Sequence, residues 1–217
     1  MISVLLADDE ALIRAGLRMI LETADDLLVV AEAGDGHAAV AAVDRHRPDV
    51  VLMDIRMPHL DGLDATATIR TRPQPPSVIV LTTFNTDHDV FRALEVGATG
   101  FLLKDTPPAD LLRAVRLAAA GDAMLSPSVT RRVIQRFTAE DRSRPRAEAL
   151  QRLEPLTERE REVLVEIGAG LTNAEIARTL HMSEATVKSH VTRLFEKLAA
   201  TNRVQLAITA FRAGLVE

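Results

Sequence analysis

The first half of the chain alternates short, wholly apolar runs with longer segments whose apolar residues recur at helical spacing. Strands that alternate with helices of this length predict βαβ units and a parallel sheet. Because the runs are apolar throughout, we expect both faces of the sheet to be covered by helices. The predicted strands are Ile2–Ala7, Leu28–Ala33, Val50–Met53, Val78–Leu81 and Gly100–Leu103, and the predicted helices are Ala11–Glu22, Gly36–Arg45, Gly62–Arg70, Asp87–Glu95 and Ala109–Ala120. The pattern therefore predicts an α/β doubly wound, parallel, five-stranded sheet.

The pattern changes in the last third of the chain, where residues 156–217 contain no strand candidate. Helix, short turn, helix is an arrangement found in DNA-binding proteins. Two helix starts have the capping-box spacing of a threonine followed three residues later by glutamate, and a serine precedes a third helix. These are Thr157 with Glu160, Thr172 with Glu175, and Ser183 before the helix Glu184–Leu198, with a fourth helix predicted from about Arg203 to Ala213. We predict a small all-α helix-turn-helix domain.

The two patterns divide the chain into three parts. We expect one domain over residues 1–120, a linker with one helix over residues 121–152, and a second domain over residues 153–217. Within the linker, Pro127–Phe137 has helical spacing, and the charged stretch after it contains Pro145. Charged, proline-containing sequence is typical of a flexible connection between domains.

Composition narrows the class of protein. The chain has no cysteine, which excludes disulfides, thiol nucleophiles and thiolate metal sites. It has no apolar stretch of about 18 residues or more, which argues against a membrane span, and no basic, apolar leader at its start. We therefore expect a cytoplasmic protein. The net charge of -5 conceals an acidic first half and a basic strip near the C-terminus, which favour a cation and phosphate respectively as ligands.

Polar side chains follow four of the five predicted strands. Asp8 and Asp9 come after the first strand, Asp54 after the third, Thr82 after the fourth and Lys104 after the fifth. In an open parallel sheet the carboxyl ends of the strands border the binding crevice. Carboxylates there suit Mg²⁺, and a carboxylate is a competent nucleophile toward phosphorus. A cap or turn role is the ordinary alternative for any one aspartate, but four coinciding strand ends favour a site.

These residues stand in motifs that resemble the receiver domain of response regulators, which has a flavodoxin-like fold. The matching segments are Asp8-Asp9, Met53–Pro58, Asp61-Gly62, Leu81-Thr82 and Gly97–Lys104.

The resemblance implies roles for particular residues. Asp54 would accept a phosphoryl group from a sensor histidine kinase. Mg²⁺ would be held by oxygen ligands, namely Asp8, Asp9, Asp54 and the backbone carbonyl of Arg56. Three further residues would contact the phosphoryl group or change conformation in response to it: Thr82, Lys104 and Phe101.

The helix Glu184–Leu198 has two distinct faces when its residues are placed at 100° intervals. Val187, Val191, Leu194, Phe195 and Leu198 fall on a core face, and small and basic residues fall on the other. Such a face suits the DNA major groove, although an ordinary amphipathic surface helix has the same periodicity. The DNA-contact candidates are Thr186, Lys188, Ser189, Thr192, Arg193 and Lys197.

The last third of the chain is similar to the LuxR-type helix-turn-helix. The matching segments are Leu156–Leu164, Gly170–Ala177, Ser183–Val191, Lys197-Leu198 and Asn202-Arg203. Together with the receiver, this is the architecture of the NarL/FixJ class of two-component regulators. The resemblance implies binding to double-stranded DNA as a homodimer, with the third helix in the major groove. It also implies a dimer face on the first and fifth receiver helices, for which Leu12, Ala15, Met19, Leu112 and Arg116 are candidates.

Three alternatives compete with a phosphorylation-switched DNA-binding regulator. A Mg²⁺-dependent phosphohydrolase would also use the Asp54 nucleophile, but Arg56 stands where such enzymes often carry a second aspartate, so we do not expect an enzyme. A phosphorylation-independent DNA-binding protein would be indicated by a degenerate acidic site, and this site is complete. An output domain that binds protein is disfavoured by the outward-facing bases Lys188 and Arg193.

Overall fold

The computed structural model describes residues 1–83, 86–125 and 150–216. The chain divides into two compact units, Met1–Val129 and Thr130–Glu217. The predicted linker helix Pro127–Phe137 lies outside the described residues, and the predicted domain boundaries remain predictions.

The first unit is a parallel sheet with the strand order β2-β1-β3-β4-β5-β6. This confirms the predicted doubly wound α/β class with five parallel strands, to which β6 adds two residues at the edge. The elements are β1 (Ile2–Ala7), α1 (Ala11–Leu21), β2 (Leu27–Ala33), α2 (Gly36–His46), β3 (Val50–Asp54), α3 (Gly62–Arg70), β4 (Ser77–Thr82), α4 (Asp87–Glu95), β5 (Gly100–Leu103), α5 (Pro108–Ala120) and β6 (Met124–Leu125).

The sheet is buried on both faces, as the apolar runs predict. Successive residues of β1 point to opposite sides, so Val4 and Leu6 belong to one core and Leu5 and Ala7 to the other. The first core contains α1 and α5 residues such as Leu21, Leu111 and Val115, and the second contains α2 and α3 residues such as Val43, Ala65 and Ile69. Two covered faces leave the strand ends as the places where polar groups can gather.

The start of α3 packs tightly against the end of β3. Asp61 caps the helix by accepting a hydrogen bond from the backbone N–H of Asp64 at 2.8 Å. At Gly62 the two backbones approach so closely that a Cβ would lie 1.8 Å from the Asp54 carbonyl oxygen. Glycine is therefore required there to keep the loop after Asp54 in place.

The second unit contains the helices α6 (Glu158–Gly168), α7 (Asn173–Thr179), α8 (Glu184–Leu198) and α9 (Arg203–Arg212). Both predicted capping boxes are present, at Thr157 with Glu160 and at Thr172 with Glu175. The core of this unit is formed by apolar residues from all four helices, among them Leu164, Ile176, Leu194 and Leu206.

The described ranges also contain no helix with the length and apolar character needed to cross a lipid bilayer.

Candidate functional site

The carboxyl ends of the strands bring Asp8, Asp54 and Lys104 into direct contact. Lys104 Nζ lies 2.6 Å from Asp8 Oδ2 and 3.1 Å from Asp54 Oδ2. Both carboxylates are buried, with 1% of Asp8 and 5% of Asp54 exposed. The other oxygen of each is also held, since Asp54 Oδ1 accepts from the Ile55 backbone N–H and Asp8 Oδ1 from that of Glu10, each at 2.9 Å.

Burial and charge act against each other in this cluster. Burial raises the pKa of the Asp54 carboxyl above its ordinary value, the nearby Lys104 ammonium offsets part of the rise, and Asp8 adds to it. Burial disfavours the ammonium form of Lys104, but the hydrogen bonds and charges of Asp8 and Asp54 outweigh burial and raise the pKa of that lysine. Lys104 is therefore a charged group held between two acids.

The donor set fits a hard divalent cation. Asp8, Asp9 and Glu10 place one carboxylate oxygen each within 4.8 Å of one another, and Asp9 and Glu10 are exposed to solvent. Lys104 Nζ lies 2.6 Å from Asp8, 3.1 Å from Asp54 and 4.0 Å from Glu10, so carboxylates outnumber the ammonium in this group of described residues. This leaves an excess of negative charge and only oxygen ligands, which is the chemistry that Mg²⁺ prefers.

The other predicted site residues lie at the end of β4, within β5 and in the loop after β3. Thr82 is buried at the end of β4, where its carbonyl accepts from the Lys104 backbone N–H at 2.9 Å. Phe101 is completely buried in β5, opposite Val80 of β4. Arg56 lies in the loop after β3, and its side chain is exposed. The backbone role predicted for Arg56 and the switch role predicted for Phe101 remain predictions.

Two further residues near the acidic cluster were not predicted from the sequence. Glu10 directly follows the two aspartates, and its Oε1 lies 4.0 Å from Lys104 Nζ. Arg14 stands one helical turn after Glu10, and its Nη1 donates to the Asp8 carbonyl oxygen at 2.6 Å. Adjacency to Asp8 and Asp9 was an available signal for Glu10. The contact of Arg14 with the Asp8 carbonyl depends on the angle between β1 and α1, and no local sequence pattern predicts that angle.

In the second unit, α8 has the two faces predicted from its periodicity. Val187, Val191, Leu194 and Leu198 are buried, and Phe195 is half-buried against the same core. The six DNA-contact candidates are all exposed: Thr186, Lys188, Ser189, Thr192, Arg193 and Lys197. The Thr192 hydroxyl donates to the Lys188 carbonyl at 3.1 Å, so its proton is used within the helix while the side chain remains on the exposed face.

Lys197 differs from the other five candidates because its ammonium is engaged within the unit. Its Nζ lies 2.6 Å from Glu160 Oε2 and 3.1 Å from the Pro155 carbonyl oxygen. Glu160 is 2% exposed, and its other contacts close the cap of α6 through Thr157. Lys197 thus joins α8 to the start of α6, and the predicted phosphate contact would compete with this ion pair.

The Glu160–Lys197 pair predicts a pH-dependent stability. Burial alone would raise the pKa of Glu160, but Lys197 and the Thr157 backbone N–H and hydroxyl lower it from 4.5 to about 2. A carboxylate whose pKa is lowered on folding stabilises the native state above pH 4.5, and this contribution is lost as the pH falls toward 2.

We expect Lys197→Met to lower the free energy of unfolding by about 2 kcal/mol at pH 7. This loss is smaller than the loss expected for a fully buried ion pair, because the Lys197 side chain is 33% exposed. The difference from the wild type should shrink between pH 4.5 and pH 2, as followed by urea denaturation and far-UV circular dichroism. Lys188→Met, at an exposed position of the same helix, is the control and should leave stability unchanged. A deficit that is equal at pH 7 and pH 2 would contradict the assignment.

The predicted dimer-face residues on α1 and α5 lie in different environments. Leu12 is 84% exposed and Met19 is 73% exposed, and Ala15 on the same side of α1 is also exposed. Leu112 is partly buried against the sheet core. Arg116 forms a two-point ion pair with Asp26, with both distances 2.8 Å. The open apolar surface therefore belongs chiefly to α1.

Two family models match the chain. Residues 4–116 match the response regulator receiver domain, and residues 154–210 match the bacterial regulatory proteins of the luxR family. The acidic cluster lies within the first match and α8 within the second.

Relatives match over the full length. The uncharacterized transcriptional regulatory protein YxjL of Bacillus subtilis is 40% identical over 216 residues, covering 100% of this chain and 98% of that protein. The response regulator protein VraR of Staphylococcus aureus is 37% identical, covering 100% and 99%. Among solved structures, the response regulator ChrA of a heme-sensing two-component system is 39% identical with a TM-score of 0.53, covering 99% of this chain and 98% of that one.

Proposed function

This chain belongs to the two-component response regulators that join a receiver domain to a LuxR-type DNA-binding domain, and we propose that phosphorylation of Asp54 controls its binding to DNA. The observation that carries the proposal is the contact of Lys104 with both Asp8 and Asp54 at the carboxyl edge of the sheet. One place then contains a nucleophilic carboxylate (Asp54), a positively charged hydrogen-bond donor (Lys104) and a further carboxylate that can bind a cation (Asp8).

In the proposed reaction, an Asp54 carboxylate oxygen attacks the phosphorus of a phosphohistidine on a sensor histidine kinase. The P–O bond to Asp54 forms as the P–N bond to histidine breaks, and the imidazole leaves with the electron pair. Lys104 would exchange its contact with Asp54 Oδ2 for a phosphoryl oxygen, and the Thr82 hydroxyl would donate to another. Asp9, Asp54 and the Arg56 backbone carbonyl, with Asp8 beside them, would hold Mg²⁺, which neutralises charge on the phosphoryl group.

The proposed output is a shift between two conformations of the receiver. The phosphoryl group adds charge and acceptor oxygens at Asp54. Lys104 contacts Asp54 directly, and Thr82 follows Leu81, the β4 residue that pairs with Asp54. Phe101 is packed without exposure next to β4, so a change of its rotamer requires its neighbours to move with it. Such coupled rearrangement of packed side chains is a way to move a surface some distance from the site.

The DNA-binding role rests on the exposed face of α8. Lys188, Ser189 and Thr192 would meet base edges in the major groove, with Lys188 suited to the acceptors of guanine. Thr186, Arg193 and Lys197 would meet phosphates or the groove edge. Because one α8 contacts few bases, a homodimer with two half-sites would raise both affinity and specificity. The exposed Leu12 and Met19 on α1 support this surface as the receiver part of the dimer.

Phosphorylation is tested by intact-mass spectrometry. Incubation with acetyl phosphate and Mg²⁺ should raise the mass of the full chain by one phosphoryl group, and Asp54→Asn should remove the increase. Asp105→Asn neutralises an exposed carboxylate next to Lys104 in the chain and should retain it. The same adduct on Asp54→Asn would overturn the assignment of the phosphoacceptor.

A further inference from the structure

Arg14 reaches from α1 to the backbone of the acidic loop. Its Nη1 donates to the carbonyl oxygen of Asp8 at 2.6 Å, and its Nε donates to Glu32 Oε2 at 3.1 Å. The side chain is 18% exposed, so most of it is covered by the protein. Its guanidinium therefore joins three elements, because it belongs to α1, binds the loop after β1 and pairs with a side chain of β2.

The carbonyl that Arg14 holds is part of the peptide unit between Asp8 and Asp9. A peptide unit is planar, so fixing its carbonyl oxygen also fixes the N–H of Asp9 and the direction in which the chain enters that residue. The peptide before it is held by the sheet, where the Asp8 N–H donates to the Ala33 carbonyl at 3.1 Å. The carboxylate of Asp8 is held by Lys104 and the Glu10 N–H.

Among the described residues, no hydrogen bond or ion pair holds the side chain of Asp9 in this way. It is exposed, and its predicted role is to bind the cation. An exposed carboxylate can serve as a ligand only if its backbone presents it in the right direction, and the donor that fixes this peptide comes from α1.

We propose that Arg14 is a positioning residue for the Mg²⁺ site, acting through the Asp8–Asp9 peptide unit. The inference rests on the proposed function of the acidic cluster and adds a residue to it. Groups outside the ligand shell that orient metal ligands commonly alter metal affinity by about 10- to 100-fold when they are removed. The described hydrogen bonds of Arg14 do not include Asp54 or Lys104. Its replacement should therefore weaken cation binding and affect phosphoryl transfer only through the bound cation.

The competing explanation is an ordinary ion pair that stabilises α1 against β2. The chain offers a matched control, because Arg18 pairs with the same carboxylate. Arg18 Nε lies 2.7 Å from Glu32 Oε1, and its Nη1 lies 3.1 Å from Glu22. Its described contacts do not include the Asp8 carbonyl. Arg18→Gln therefore removes a partner of Glu32 and leaves the acidic loop unchanged.

The experiment compares Arg14→Gln with Arg18→Gln in the full chain. Mg²⁺ affinity is measured by isothermal titration calorimetry without phosphodonor, and the rate of adduct formation from acetyl phosphate is measured at low and at saturating Mg²⁺. Free energies of unfolding, measured without Mg²⁺, show whether the two substitutions destabilise the fold equally.

We expect Arg14→Gln to weaken Mg²⁺ binding by about 10-fold and to slow phosphorylation at low Mg²⁺, with recovery at saturating Mg²⁺. Arg18→Gln should match the wild type in both. Wild-type Mg²⁺ affinity in Arg14→Gln, or equal weakening in the two variants, would overturn the proposal. Failure of the wild-type chain to form the adduct would instead overturn the proposed function, so the two failures are distinguishable.

Discussion

Replacing Lys104 with methionine is expected to slow phosphorylation of Asp54 by about 100-fold or more, the usual effect of removing one charge-stabilising donor from a transfer site. Lys104 is the ammonium that contacts both buried carboxylates. Without it, negative charge that develops on the phosphoryl oxygens loses a partner. The rate is measured from the intact mass over time with acetyl phosphate at saturating Mg²⁺.

The same substitution should make the fold depend on Mg²⁺. Asp8 and Asp54 are buried side by side, and removing one partner of a buried charge cluster costs about 3 kcal/mol or more. We expect Lys104→Met to be less stable than the wild type without Mg²⁺ and to recover much of the difference when Mg²⁺ is added. Lys104→Arg keeps the positive charge but replaces the ammonium by a larger, planar guanidinium. We therefore expect this variant to keep most of the stability of the wild type and to lose more of its phosphorylation rate. A normal phosphorylation rate in Lys104→Met would contradict the role of this residue.

Replacing Lys188 with alanine is expected to weaken binding to DNA selected from a random pool by about 10- to 100-fold, or about 1.4–2.7 kcal/mol, which lies within the range for one good base contact. Lys188 lies on the exposed face of α8, directly after the buried Val187. The loss should be concentrated at one base pair of each half-site. Fluorescence anisotropy on the selected duplex and on single-base variants measures both effects.

Two other residues on the same face serve as comparisons. Arg193→Ala should weaken binding to all sequences by the same factor. It should also reduce the slope of log affinity against log salt concentration by about one, the amount expected for the loss of one phosphate contact. Glu196→Gln removes an exposed acid and should not weaken binding. If Lys188→Ala weakened all sequences equally, Lys188 would be a phosphate contact instead of a base contact.

The strands and helices of the receiver were predictable because burial on both faces leaves a simple pattern. Wholly apolar runs separated by amphipathic segments have few alternative folds, and the predicted bounds of β1, α3, α4 and β5 match the structure. β6 has two residues, too few to show any periodicity. At β3 the strand continues one residue further than predicted, through Asp54, which pairs with Leu81 of β4, and Lys104 offsets part of the cost of burying this carboxylate.

The convergence of Asp8, Asp54 and Lys104 was predictable from topology, since parallel strands bring their carboxyl ends together. The contact of Lys197 with Glu160 was not, because it joins residues 37 positions apart through the packing of α8 on α6. A basic residue on a helix flank suits phosphate and a distant acid equally well in the sequence. Arg14 was missed for a related reason, since its acceptor is a backbone carbonyl, which carries no sequence signature.

A phosphoryl group on Asp54 is expected to strengthen DNA binding, which is tested by measuring the affinity of the full chain for its selected duplex with and without acetyl phosphate and Mg²⁺. The wild type and Asp54→Ala are compared, with sedimentation velocity on the same samples. We predict tighter binding and a shift toward a dimer for the wild type with phosphodonor and Mg²⁺, and neither change for Asp54→Ala. Equal affinity of both proteins under both conditions would show that phosphorylation of Asp54 does not control DNA binding by this protein.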